Sequence, residues 1–297
     1  IRAFVPRNYW EVEGEFEAAG GTYTGRWFDE AFKKGDDEHA RAERLWQEQQ
    51  AESIRGECLG KPGVVTDTAK PENRLSPLLF DLTSLQREAN TRFGFSAKTT
   101  LSIAQALYEK HKVLTYPRTD SRALPEDYLP TVHNVLAGLP DLYAPFANEI
   151  VKEGWVKPNK RIFNNTKISD HFAIIPTGTV PKTLSEVEAK LYDFVVRRFL
   201  SVFYPAAEYL ITTRITRVGK HPFKTEGKVL VKKGWLTVYG KEESDEETNL
   251  PAVTDGEAVQ TEDVRIKASA TRPPARYSEA TLLSAMESAG KRIDDDE

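Results

Sequence analysis

Residues 185–218 read SEVEAKLYDFVVRRFLSVFYPAAEYLITTRITRV, and inside this stretch the spacing of apolar side chains changes period. Ser185 followed by Glu188 has the form of a capping box, and Val187, Leu191, Phe194, Val195 and Phe199 continue a helical stripe to about Phe203. From Tyr209 the pattern becomes that of a strand, with further strands predicted over 223–231, 234–239 and 258–268, joined by glycine-containing turns. Toward the N-terminus the same two-residue period appears in residues 9–17, YWEVEGEFE, where Trp10, Val12, Gly14 and Phe16 alternate with glutamates. The turn residues 18–21, AAGG, let a second strand over 22–28 pair back as a hairpin. Between the two β regions the chain reads as helical. Residues 36–55 form one exposed helix, residues 60–73 a Gly/Pro/Asn break, Asp81 or Ser84 caps a helix through Arg92, and Ser96 caps another to about His111. Ser278 caps a last helix through Ala289. Strands, then helices, then strands predict an α+β fold: a discontinuous antiparallel β domain over residues 1–73 and 206–269, an inserted helical domain over 74–205, and a further segment beginning at 270–297.

The length of 297 residues suits two domains, and no apolar run approaches the roughly 18 residues of a membrane span. One cysteine, Cys58, forms neither an internal disulfide nor a zinc cluster, so the chain reads as intracellular and free of structural zinc. It opens at Ile1, has its only methionine at Met286 and shows no leader, and so reads as a piece of a longer protein. The net charge of −4 is unevenly spread: residues 86–240 carry 23 basic and 14 acidic groups, whereas 1–85 carry 11 and 16 and 241–297 carry 7 and 15. A basic centre between acidic ends suits a phosphate backbone as well as it suits ordinary solvated surface.

The stretch with chemistry in it is residues 114–122, LTYPRTDSR. Pro117 biases Tyr116 away from the helical region, so the tyrosine sits in an extended loop where its hydroxyl can be presented. In an extended chain Arg118 points the same way as Tyr116, and a guanidinium is suited to bidentate phosphate binding. Thr119, Asp120 and Ser121 add hydroxyls and a carboxylate that could touch sugar, backbone or the arginine. The same residues also suit an Arg–Asp pair in a turn beside a core tyrosine. Lys157, Lys160, Arg161 and Lys167, in a polar loop with Asn164 and Asn165, form a basic group able to contact DNA. Phe93, Phe95, Phe163, Phe172 and Trp155 suit either base stacking or a core.

The hexapeptide YPRTDS in this setting resembles the active-site loop of type IA DNA topoisomerases, and the topoisomerase III branch in particular. The resemblance extends to residues 1–16 (IRAFVPRNYWEVEGEF), 77–101 (PLLFDLTSLQREANTRFGFSAKTTL), 169–178 (SDHFAIIPTG), 227–239 (GKVLVKKGWLTVY) and 271–291 (TRPPARYSEATLLSAMESAGK). It implies that Tyr116 attacks a DNA phosphodiester and stays joined to the 5′ phosphate, that Arg118 contacts that phosphate, and that His171 positions the phosphate or the arginine. Thr119, Asp120, Ser121, Lys157, Lys160, Arg161 and Lys167 become DNA-binding candidates. It also implies a β arch acting as hinge, a helical gate over 74–205 carrying the tyrosine, and a return over 270–297 into a DNA-binding base. Single-stranded DNA and the remaining domains of the same polypeptide are the expected partners, with no membrane and no nucleotide cofactor, and a cytoplasmic, nucleoid-associated setting.

A phenol ionises near pH 10, so attack requires a proton acceptor, and only Asp120 is near in sequence. In the family a separate toprim-type domain holds magnesium together with an assisting glutamate and lysine. No such acidic cluster occurs here: residues 294–296, DDD, are contiguous and read as solvent-facing. No cofactor is expected on this chain, magnesium is expected through the toprim domain, and the chain by itself is expected to be folded but unable to relax DNA. The acidic loops 33–38 and 242–247 are expected on the arch. The rival expectation is a non-catalytic single-stranded-DNA-binding or partner-docking module of the same fold. A relaxase-like tyrosine enzyme fits poorly, because the five histidines are scattered rather than clustered for a metal.

Overall fold

Alternation in the N-terminal segment produces β1 (Asn8–Ala18), which turns through Ala19 and Gly20 into β2 (Gly21–Trp27). In the computed structural model, which describes residues 4–240 and 248–293, the chain forms two compact units. One comprises residues 4–73, 208–232 and 248–275; the other comprises 74–207, 233–240 and 276–293. The stretches 242–247 and 294–296 lie outside the described residues.

The first unit is a closed barrel in the order β1, β2, β5 (His221–Lys232), β4 (Ala207–Val218), β3 (Pro62–Arg74), β6 (Ala258–Ala270). Val12, Phe16, Tyr23, Val65, Val218, Phe223, Val259 and Val264 fill it. The rings of Phe16 and Phe223 meet edge to face at 5.3 Å. They fit because Gly14 and Gly25 face each other across β1 and β2: a Cβ at Gly14 would lie 2.7 Å from the Phe16 ring. Outside, the glutamates of β1 meet cations of β6, with Glu13 to Lys267 at 2.7 Å and Glu15 to Arg265 at 2.6 Å. α1 (Glu48–Cys58) packs Ala51, Ile54 and Cys58 into the barrel's apolar cluster.

Three expectations are corrected here. The helix expected over 36–55 begins only at Glu48, because Asp29 and Asp37 accept the amides of Ala31 and His39 and Leu45 pairs with Trp10, arrangements that compete with a helix. The break expected over 60–73 is the strand β3, whose inward positions are Gly63 and Val65. Residues 234–239, expected to be a strand, are mostly a 3-10 turn (Gly234–Val238) that belongs to the second unit, tied by Trp235 N donating to the Pro205 carbonyl.

The second unit packs α2 (Leu82–Phe93), α3 (Ala97–Glu109), α4 (Leu129–Ala137), α5 (Ala144–Lys152) and α6 (Glu186–Ser201) around one apolar cluster, with α7 (Glu279–Ile293) lying against α2. The Asp81, Ser96 and Ser185 side chains accept the amides of Ser84, Thr99 and Glu188, so each helix starts where its cap residue stands. Arg198 of α6, buried over the Phe80 ring at 4.1 Å, pairs with Glu88 at 2.5 Å and donates to the Leu78 carbonyl. The unit is not purely helical: isolated bridges join Leu114 to Pro176 and Phe80 to Ile174. Among the described residues no helix is long and apolar enough to cross a membrane.

Candidate active site

α3 ends at Glu109 and the chain turns away at Lys112, the one described non-glycine residue with positive φ, at 59°. The turn is held by Val113 N donating to the Leu107 carbonyl and by the Thr177 hydroxyl donating to the Lys112 carbonyl at 2.7 Å. From there residues 116–122 run without helix, and their exposure alternates: Pro117, Thr119 and Ser121 are buried, Arg118 and Asp120 exposed, Tyr116 and Arg122 half-buried. Tyr116, Arg118 and Asp120 thus share the accessible face of an extended segment.

The inward face is pegged to residues 167–175 by hydroxyls. Thr115 donates to the Ala173 carbonyl at 3.1 Å, Thr119 to the His171 carbonyl at 2.9 Å, and Ser121 to the Lys167 carbonyl at 2.7 Å. Thr119 and Ser121 are only 7% and 3% exposed. These two side chains, expected on DNA, are instead spent inside the unit, where they fix the segment that carries His171. Asp120 accepts from the Ser169 hydroxyl at 3.0 Å on the outer side.

The Tyr116 ring lies between two others. The His171 ring is 4.3 Å away at 46°, and the Tyr108 ring of α3 is 5.4 Å away, edge on. Among the described residues the Tyr116 hydroxyl has no hydrogen-bond partner and is not enclosed. Arg118 reaches Gln105 of α3 at 3.2 Å, and Gln105 donates in turn to Glu109. The sequence reading gave Gln105 no role and placed Tyr108 only on the apolar face of the helix, not at the site. Their i, i+3 spacing on the helix that leads into the loop was the available signal.

The four-cation loop group is brought together only in part. Lys160 pairs with Glu126 at 2.6 Å, holding that carboxyl below its usual range, together with the Asn165 amide. Arg161 is half-buried and donates to the Ser76 carbonyl, and burial lowers its pKa. Lys157 and Lys167 are exposed, the Lys167 carbonyl being the one that Ser121 holds. Phe163 is core and Phe93, Phe95, Phe172 and Trp155 pack on that core. Among the described residues no group of three or more His, Cys, Asp or Glu side chains stands close enough to hold a metal ion, so these residues do not fit a magnesium site.

The profile of the family described as DNA topoisomerase matches residues 1–290. DNA topoisomerase 3 of Bacillus subtilis is 40% identical over 297 residues, covering 97% of this chain and 39% of that protein. DNA topoisomerase 3 of Bacillus licheniformis is 45% identical over 243 residues, 79% of this chain and 33% of that protein. The chain therefore spans about two fifths or less of the curated relatives it matches. The structure of full-length topoisomerase I from Thermotoga maritima superposes with a TM-score of 0.67 over 97% of this chain and 45% of that one, at 24% identity, which speaks for a shared fold. With a family profile over nearly its whole length and relatives at 40–45% identity, the chain belongs to the DNA topoisomerase family, in its type IA, topoisomerase III-like branch.

Proposed function

We propose that this chain supplies the nucleophile for reversible cleavage of one DNA strand. The Tyr116 oxygen attacks a phosphodiester phosphorus and the bond from phosphorus to the 3′ oxygen breaks. The phenol loses its proton to a base, the departing oxygen gains one to become a 3′ hydroxyl, and the phosphate is left as a 5′ phosphotyrosine ester. Resealing is the reverse attack by the 3′ hydroxyl, so the ester conserves the bond and no nucleotide is consumed. Arg118, exposed on the same face, supplies a fixed cation where negative charge grows on the phosphate. His171, whose ring leans against the nucleophile's at 4.3 Å, orients it. In this reading the helical unit moves as the gate, the barrel serves as its hinge, and single-stranded DNA lies along Tyr116, Arg118, Asp120, Lys157 and Lys167.

One observation carries the reading: a tyrosine hydroxyl free of protein partners, on the open face of an extended loop beside an exposed arginine. The test is a chimera in which this chain replaces the matching segment of Bacillus subtilis DNA topoisomerase 3, mixed with magnesium and a single-stranded oligonucleotide labelled at its 3′ end. A covalent adduct that Tyr116→Phe abolishes is expected. Oligonucleotide binding without any adduct would instead support a non-catalytic module. The chain alone is expected to leave a supercoiled plasmid unrelaxed in a gel assay.

A further inference from the structure

We infer that Arg122 is a positioning residue for strand cleavage, clamping the far end of the nucleophile's loop to the first turn of α2; this rests on the reading of Tyr116 given above. The clamp has two points. The Leu82 amide donates to the Thr119 carbonyl at 2.9 Å, and three residues on, Arg122 Nε donates to Asp81 Oδ2 at 2.7 Å. The other oxygen of Asp81, Oδ1, accepts from the Ser84 amide at 2.7 Å and the Ser84 hydroxyl at 2.5 Å, so the carboxylate is fully engaged.

The Asp81 side chain is only 9% exposed, and among the described residues Arg122 is the one cation in contact with it. A nearly buried carboxylate that loses its cation is left uncompensated and is driven to turn out toward water. That turn releases residues 119–122. The consequence reaches both the nucleophile and the histidine beside it: Thr119 holds the His171 carbonyl, and Tyr116 lies three residues before Thr119 on the same extended segment. Arg122 is itself 29% exposed and approaches a second carboxylate, Glu287 of α7, at 3.6 Å, so its head serves charge pairing rather than core packing. A reacting atom displaced by about 1 Å can cost about 100-fold in rate, so loosening the loop is expected to act on turnover more than on DNA affinity.

The experiment measures adduct formation by the chimera at saturating oligonucleotide, and the oligonucleotide Kd separately. For Arg122→Gln the expected result is a rate lower by about tenfold or more with a Kd within about twofold, because positioning is lost and no DNA contact is removed. Arg122→Lys, which keeps the charge beside Asp81, is expected to recover part of the rate. Arg87→Gln, which removes the neighbouring 3.2 Å bridge to Glu287 without touching the loop, is expected to leave it unchanged. An unchanged rate for Arg122→Gln, or a weakened Kd at unchanged rate, overturns the assignment. A parent chimera that forms no adduct sinks the proposed function instead. In that event hydrogen exchange on the chain itself decides. Faster exchange of amides 119–123 in Arg122→Gln, with α6 unaffected, upholds the clamp, and equal exchange overturns it.

Discussion

His111 leaves α3 just before the nucleophile's loop, and its Nε2 lies 3.1 Å from a carboxyl oxygen of Glu188. That carboxylate is also the third residue of the α6 capping box, accepting the Ser185 amide at 2.8 Å and the Ser185 hydroxyl at 2.9 Å. The Ser185 amide, then the Ser185 hydroxyl, then His111 pull the Glu188 pKa down from 4.5 to about 2. Because the folded form gives up its proton more readily than the unfolded form, the stabilisation is complete above pH 4.5 and is lost as pH falls toward about 2. Glu188→Gln, which resembles the protonated acid, should therefore melt below the parent protein at pH 7, and the gap in Tm should close between pH 4.5 and about 2. A gap that stays constant across that range would show that charge is not what Glu188 contributes. At this scale the sequence was informative where chemistry is local. Pro117 beside Tyr116 dictated an extended loop, and the structure has one. What could not be read was which hydroxyls turn inward, since Thr119 and Ser121 find their acceptors about fifty residues away.

Three helix starts were legible for the same reason: a cap acts on an amide three residues on, so the caps at or near Asp81, Ser96 and Ser185 announce α2, α3 and α6, whereas α1, α4 and α5 have no such side-chain cap and their starts were not read. Strand β3 and the turn at Gly234–Val238 were not legible. The exposed end of β3 is polar enough to read as loop, and residues 234–239 alternate like a strand although their partners lie in the helical unit. Two glycines separate the local from the tertiary contribution. Gly94 ends α2 at φ 70° with open space around it, so Gly94→Ala meets backbone strain alone and should cost about 1 kcal/mol. Gly234 has φ 49°, and a Cβ there would lie 2.2 Å from the Ala206 carbonyl oxygen, a backbone atom that cannot swing aside. Gly234→Ala should cost at least about 3 kcal/mol, adding overpacking to strain. Chemical denaturation of both variants tests the ordering, and equal losses would mean that the 206 segment yields.

Closure of the β strands into a barrel was beyond the sequence, because it depends on β3 joining β6 and on a charge held inside. Arg214 of β4 is 2% exposed, pairs with both oxygens of Asp67 at 2.8 Å, donates to the Pro251 carbonyl at 2.9 Å, and lies 4.5 Å from the centre of the Tyr23 ring. Its Nη1 has no partner, so the guanidinium is already under-satisfied and depends on Asp67. Removing one member of a buried pair strands the other, and Asp67→Ala should cost about 3 kcal/mol. That loss belongs to the barrel, whose apolar cluster shares no residue with that of the helical unit. Two units with separate cores should unfold as two calorimetric transitions. Asp67→Ala should then lower one transition and Gly234→Ala the other, each leaving its counterpart in place. A single transition that moves with both substitutions would mean that the two cores melt as one cooperative body, and the chain would have to be treated as one folding unit.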